Sequence, residues 1–166
     1  MIVVSDSTPL ITLMKAAKLE LLHGLFGEVV IPDAVYSEVT TNEEYKAEAD
    51  LIKKSSFLKV VSVNDNDRVE FLQRATGLDR GESEAIIFAD ETKADLLLMD
   101  EVAGRRIAQN MNLPITGSVG ILVRAFQTGL ISKEEADNAF DMIRKSRRHI
   151  SERLIQSALC IIHADD

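Results

Sequence analysis

The chain has 166 residues, 46% of them hydrophobic, with only 3 Pro and 8 Gly, a composition that suits one folded domain with a sizeable core and excludes a disordered or low-complexity polypeptide. The single Cys160 excludes an internal disulfide framework and a clustered thiolate metal site, and no apolar run reaches the ~20 residues that a membrane-spanning helix needs; with no basic, apolar leader, the expectation is a cytoplasmic protein without a membrane partner. A net charge of −8 opposes approach to phosphates, so a nucleic-acid partner is expected only if part of the acidic excess is a carboxylate cluster that a divalent cation offsets.

Ile2 to Ser5 read as a strand, apolar up to Ser5 and suited to burial on both faces of a parallel sheet. Thr8 and Pro9 look like the N-cap and first residue of a helical stretch through Leu25, broken near Ala17 and closed by Gly27. Glu28 to Ile31 reads as a second strand, and Pro32 as the start of a helix bearing Val35, Glu38 and Val39. A charged helix is expected over residues 43–55, with Ala47, Leu51 and Ile52 on its apolar side, before a third strand from Phe57 to Val63. Helices follow from Asp65 to Ala75 and from about Gly81 to Lys93, separated by the turn-like Thr76-Gly77-Leu78-Asp79.

Leu96 to Met99 makes a fourth short strand, and like the first it ends on an acid, Asp100. A helix over residues 101–110, a fifth strand from Leu113 to Thr116 and a helix from Gly117 to Gln127 complete the alternation. Strand and helix in turn predict an α/β layered fold around a mainly parallel sheet. From Ser132 onward the chain reads as all helical, with Ser132 and Glu135 fitting a capping box and Ser151 capping a last helix through Ile162. The expected organisation is one domain over residues 1–166, with 132–166 as a helical C-terminal extension.

Strands of a parallel sheet present their carboxyl ends along one edge, and ligands bind in the crevice outside it. Asp6 and Asp100 are therefore expected to meet there, where a cation can satisfy them; a carboxylate inside a strand would cost several kcal/mol unless paired. The plainer alternative for Asp6 is an Asx turn or helix cap. Glu38 lies beside the buried Val35 and Val39 side of its helix, or is simply a solvated position. In "LDRGESEAIIFA", Glu82 shares a helical face with Ala85, Ile86 and Ala89, whereas Glu84 lines up with Ile87, Phe88 and Glu91. Either acid could instead be a favourable charge at a helix N-terminus.

The ordered segments "VVSDSTPLI", "GEVVIPDAVYSEV", "LDRGESEAI", "LLLMDEVAGRRIA" and "ITGSVGILV" resemble the PIN-domain nucleases, specifically the branch of VapC-like toxins and a related group of prokaryotic PIN proteins. The resemblance covers most of the chain. It implies a three-layer α/β/α sandwich around a mainly parallel five-stranded sheet, with an acidic cleft that binds Mg²⁺ or Mn²⁺ and hydrolyses RNA phosphodiesters. By matching motif, Asp6 is the first acid, Glu38 the second and Asp100 the fourth, all catalytic and metal-holding. The third is Glu82 by gap-free spacing to Asp100 and by helical face, or Glu84 by the acid-Ala-x-Ile run. Many relatives place a further acid just after the fourth, where this chain offers Glu101. Ser7, Thr116 and Ser118 resemble the small polar residues around the family's cleft. A homodimer and a cognate antitoxin protein are the partners that the resemblance implies besides RNA.

Converging carboxylates repel one another, so a hard divalent cation is their natural partner, and it can activate water without a histidine. His23, His149 and His163 are too scattered for a triad, and Cys160 is expected in the core. Arg105 and Arg106, just after Asp100, and the basic run with Arg144, Arg147 and Arg148 are candidate RNA contacts, the latter run serving equally as a solvated helix end. Two competing functions are weighed: a non-catalytic PIN-like module that binds RNA or protein, against which the full acid set argues, and a phosphoacceptor or phosphatase-like α/β domain, whose haloacid-type form wants an Asp at position 8, where Thr8 stands.

Overall fold

The computed structural model describes residues 1–146 and 150–164. A wholly buried strand, β1 (Val3–Ser5), leads into α1 (Ser7–Lys15) and α2 (Leu21–Phe26). Helix α1 begins two residues before the expected Pro9. Proline is tolerated at this third helical position because its missing N–H would lack an intrahelical acceptor in any case. The break falls at Ala17, whose φ of 53° turns the chain through the left-handed region, and Gly27 closes α2 at φ 76°.

Strand β2 (Val29–Pro32) runs directly into α3 (Asp33–Thr41), so Pro32 ends the strand rather than opening the helix. The charged segment divides into a 3-10 turn (Glu43–Tyr45) and α4 (Lys46–Lys54). Its inward face is Glu48, Ala49 and Ile52, while Leu51 is exposed, because Glu48 pairs with Lys15 of α1 and sets the helix's rotation. Then come β3 (Leu58–Val61), α5 (Asn66–Thr76), α6 (Arg80–Thr92), β4 (Leu96–Leu98), α7 (Val102–Asn110), β5 (Ile115–Thr116), α8 (Ser118–Gln127), α9 (Lys133–Lys145) and α10 (Glu152–Ile162). Ser132 and Glu135 form the expected capping box, and Ser151 caps α10 by accepting from the Leu154 N–H. No helix among the described residues is long and apolar enough to cross a membrane.

The five strands form one all-parallel sheet in the order β3-β2-β1-β4-β5, with helices on both faces in an α/β/α sandwich. Alternation along the strands divides the core. Val3 and Leu98 point to the face covered by α1, α8 and α9, where Leu10, Ile121 and Phe140 are fully buried. Val4, Leu97 and Met99 point to the opposite face, under Ala85, Ile86 and Ala89 of α6 and Ala108 of α7. The chain runs outward from β1 through β2 to β3, then returns to place β4 on the other side of β1. This reversal is a topological switch point, where the loops after β1 and β4 diverge and leave a crevice.

Candidate active site

Asp6 stands at that crevice because of backbone pairing. Its N–H donates to the Leu98 carbonyl at 3.0 Å, continuing the β1–β4 ladder, in which Ser5 is matched with Leu98. The side chain is 1% exposed, and neither carboxylate oxygen has a hydrogen-bond partner. Asp6 occupies the N-cap position of α1 without accepting a cap hydrogen bond, so the capping alternative leaves its carboxylate unexplained. Burial drives its pKa well above the ordinary aspartate range, and the negative charges of Asp79, Glu82 and Glu38 push in the same direction. The Ser7 N–H opposes the shift from close by, without hydrogen-bonding geometry.

Asp100 lies two residues beyond β4. Its Oδ1 accepts the Ser118 N–H at 2.7 Å, at the N-terminus of α8 where that donor has no intrahelical acceptor. Its Oδ2 is shielded from solvent and has no partner. Burial raises the Asp100 pKa, while the Ser118 donors, the nearby Thr12 hydroxyl and the charge of Arg105 pull it back. Neither the Thr12 nor the Ser118 hydroxyl completes a hydrogen bond. Gly117 makes the approach possible, since a Cβ there would lie 2.5 Å from Asp100 Oδ1 and 3.3 Å from Arg105 Nη1.

Helices α3 and α6 bring the remaining acids. Val35 and Val39 bury one side of α3, leaving Glu38 half-buried at its margin. Helix α6 opens on a capping box: Asp79 Oδ1 accepts the Glu82 N–H at 2.8 Å, and Glu82 Oε2 accepts the Asp79 N–H at 3.0 Å. A Cβ on Gly81 would lie 3.2 Å from Glu38 Oε2 and 3.5 Å from Asp79 Oδ1, so both carboxylates border the bare backbone at the start of α6. The second oxygen of Glu82 faces α7, where a Cβ on Gly104 would come within 3.2 Å of it. The Glu82 pKa is raised by burial, then by Asp79, Glu101 and Glu38.

Glu84 has a different environment. It is buried, yet Oε2 accepts the Ala34 N–H at 3.0 Å and Oε1 pairs with Arg80 Nε at 2.8 Å. It caps the first turn of α3, a service that Pro32 cannot give, and its charge is compensated. Glu82 therefore stands among the acids that face Asp6, and Glu84 ties α3 to α6.

Of the other expected residues, Ser7 and Ser118 are buried at the starts of α1 and α8, Thr116 ends β5, and Glu101 is exposed at the start of α7. Arg105 is half-buried, with Nη1 donating to the Met99 carbonyl at 2.8 Å, and Arg106 is exposed. Arg144 is engaged with Asp141 and Glu152, bridging α9 to α10. Arg147, Arg148 and His149 lie outside the described residues. His23 bonds the Gly27 carbonyl and His163 bonds Asp137, so these two do not converge. Cys160 is exposed, not in the core: the buried stripe of α10 is Ile155, Ala158 and Ile162, which turns position 160 outward. Sequence reasoning missed Asp79, although the D-x-x-E spacing to Glu82 is a capping-box signature, and Thr12, whose role depends on a contact across the fold.

Among the described residues no three His, Cys, Asp or Glu side chains are drawn into a closed coordination group. The donors nonetheless suit a hard divalent cation: they are carboxylates, three buried oxygens on Asp6 and Asp100 lack partners, and burial, with neighbouring negative charge behind it, raises the pKa of Asp6 and Glu82. A cation would supply the missing partner and cancel that repulsion. In comparison with known families, a model described as "DUF3368: PIN domain" matches residues 2–163. No curated protein matches the sequence.

Proposed function

The chain belongs to the PIN-domain family, a nuclease fold that acts on nucleic acid, and from that premise we propose that it is a Mg²⁺- or Mn²⁺-dependent ribonuclease. One observation carries the reading: Asp6 holds two fully buried, partnerless carboxylate oxygens at the switch point, within the field of Glu38 and Glu82. In this reading Asp6, Glu38, Glu82 and Asp100 hold the ion, with Glu101 as an accessory acid and Glu84 as a clip between helices. When bound, the ion lowers the pKa of a water and offsets charge on the scissile phosphate.

The protein's own groups supply orientation. The Ser118 N–H fixes Asp100 through Oδ1 and leaves Oδ2 directed elsewhere; the Asp79 N–H does the same for Glu82 through Oε2. Both acids are thus placed by backbone donors at helix starts, which do not have to reorganise when substrate arrives. Arg105, held by the Met99 carbonyl, sets a positive charge beside Asp100, where a phosphate would otherwise meet only acids. His23 bonds the Gly27 carbonyl and His163 bonds Asp137, and in this reading proton transfer is assigned to carboxylates and water.

We read residues 1–166 as a single such domain, with α9 and α10 as its extension, acting in the cytoplasm as a homodimer and restrained by a cognate antitoxin. The resemblance of its ordered segments to VapC-like toxins supports that biological role. The deciding experiment incubates purified protein with a single-stranded RNA pool in Mn²⁺, with and without excess EDTA. Metal-dependent cleavage that disappears in Asp6→Asn is expected. Cleavage surviving EDTA would overturn the mechanism, and binding without cleavage at any metal concentration would favour the non-catalytic module.

A further inference from the structure

Helix α1 carries one polar side chain in the buried run Pro9-Leu10-Ile11-Thr12-Leu13-Met14. Thr12 is 0% exposed, and its Oγ1 is shielded from solvent without a hydrogen-bond partner. A buried hydroxyl left unbonded destabilises a fold, and valine would fill much the same space without that penalty.

The hydroxyl also leaves its ordinary local partner unused. A threonine inside a helix can donate to the carbonyl four residues back. Thr40, Thr41, Thr76 and Thr92 do so, to the carbonyls of Tyr36, Ser37, Leu72 and Phe88 at 2.7, 2.6, 2.6 and 2.8 Å. Thr12 has the Thr8 carbonyl one turn behind it in α1, yet among the described residues it is the one threonine so placed that makes no such bond. Its hydroxyl lies instead beside the Asp100 carboxylate. There Oδ1 is taken by the Ser118 N–H, while Oδ2 is buried and unpartnered. A donor without an acceptor and an acceptor without a donor thus occupy neighbouring buried positions.

We propose that Thr12 is a positioning residue, whose hydroxyl donates to Asp100 and, together with the Ser118 N–H, fixes that carboxylate in the orientation that meets the cation. A carboxylate has about four lone-pair directions, so two donors still leave it free to ligate. An ionised acceptor binds a hydroxyl roughly twice as strongly as a neutral one, so a cation that keeps Asp100 charged strengthens the bond. Asp6 stands at the N-cap position of α1 and Thr12 less than two turns further on, so one helix serves both strand-end acids. The inference rests on the cation-dependent nuclease reading above and extends it to a residue outside the acid set.

The test compares Thr12→Val, which removes the hydroxyl and keeps the branched shape, with Thr12→Ser, which keeps the hydroxyl. Groups that hold a metal ligand in place typically govern about 10–100-fold of metal affinity or activity. Thr12→Val is therefore expected to bind Mn²⁺ roughly tenfold or more weakly by calorimetry without RNA, and to lose kcat by a similar factor with KM for RNA unchanged. Its thermal midpoint in EDTA should stay level or rise, because an unbonded buried hydroxyl has been replaced by a methyl. Thr12→Ser should restore both Mn²⁺ affinity and kcat. Thr92→Val, at the end of α6 remote from its Glu82 turn, is the control and should leave Mn²⁺ affinity unchanged. A Thr12→Val protein that binds Mn²⁺ as the native chain does would overturn the inference alone, leaving the nuclease reading intact. So would a lowered midpoint in EDTA together with a Thr12→Ser variant that does not recover the metal, which would make Thr12 a packing residue only. A native protein that binds no Mn²⁺ would overturn both readings together.

Discussion

Gly117 and Asp100 stand so close that a single added methyl on the glycine would lie 2.5 Å from the carboxylate Oδ1. That carboxylate also accepts the N–H of the next residue, Ser118, so position 117 must stay bare for Asp100 to reach the start of α8. Gly117→Ala is expected to lower cleavage at least tenfold and to cost about 1–3 kcal/mol of stability through overpacking. Gly24→Ala is the control, because there a Cβ meets only the Leu130 methyl ends, at 3.3 Å and 3.6 Å. It should keep full activity, since flexible methyls can yield. Initial cleavage rates and urea denaturation of both variants check the pair.

Asp6→Asn should abolish most cleavage and weaken Mn²⁺ binding while the fold persists. The native side chain is buried, partnerless and close to other acids, so removing its charge is expected to raise the thermal midpoint of the metal-free protein by a few degrees. Calorimetry in EDTA, with Mn²⁺ titration alongside, measures both effects. A fully active Asp6→Asn would defeat the nuclease assignment.

Glu82 and Glu84 should separate cleanly. Glu82→Gln is expected to be inactive, because it removes one of the charges facing Asp6. Glu84→Gln retains an acceptor for the Ala34 N–H and should keep activity within a few-fold. Glu84→Ala strands that donor and Arg80, and is expected to cost about 1–3 kcal/mol. If Glu84→Gln were the dead variant and Glu82→Gln the live one, the assignment of the third acid would be reversed.

Away from the crevice, Arg68 Nη2 pairs with Asp90 Oδ2 at 2.7 Å. The Arg68 hydrogen bond, with help from Lys93, holds the Asp90 carboxyl below the usual aspartate range. A lowered acid pKa adds stability that is complete above the unfolded value of about 3.9 and disappears as pH falls through the folded one. Asp90→Asn should therefore cost about 0.5–1 kcal/mol at neutral pH, a small figure because solvent screens this partly exposed pair. The gap to the native protein should close as pH falls below about 4. Urea midpoints at a series of pH values follow it.

The strand and helix order was legible because buried parallel strands are short apolar runs and the helices between them carry a 3.6-residue stripe. Element ends were less so. Pro32 closes β2 because it pairs with Val61 of β3, a ladder partner that no local pattern announces. Hydropathy points Leu51 and Cys160 inward, yet the stripes that their helices bury are set by Glu48 with Lys15 and by Ile155, Ala158 and Ile162. Within the candidate site, Asp6 and Asp100 were readable as strand-end acids. What remained hidden was whatever depends on two distant segments meeting: Asp79 against Glu38, Thr12 beside Asp100, and Gly117 as the clearance that Asp100 requires.

The position of β1 in the middle of the sheet also fixes when the crevice can exist. Its two neighbours are made at very different times during synthesis, β2 shortly after it and β4 only after four further helices and an edge strand. Parallel pairing across so long a stretch of chain closes a large loop and is intrinsically slow. On the ribosome, Asp6 therefore emerges long before Asp100, and the α8 backbone donor that orients Asp100 emerges later still. A nascent chain carries the first acid of the crevice without the rest, so the crevice reaches its full geometry only when synthesis has passed α8.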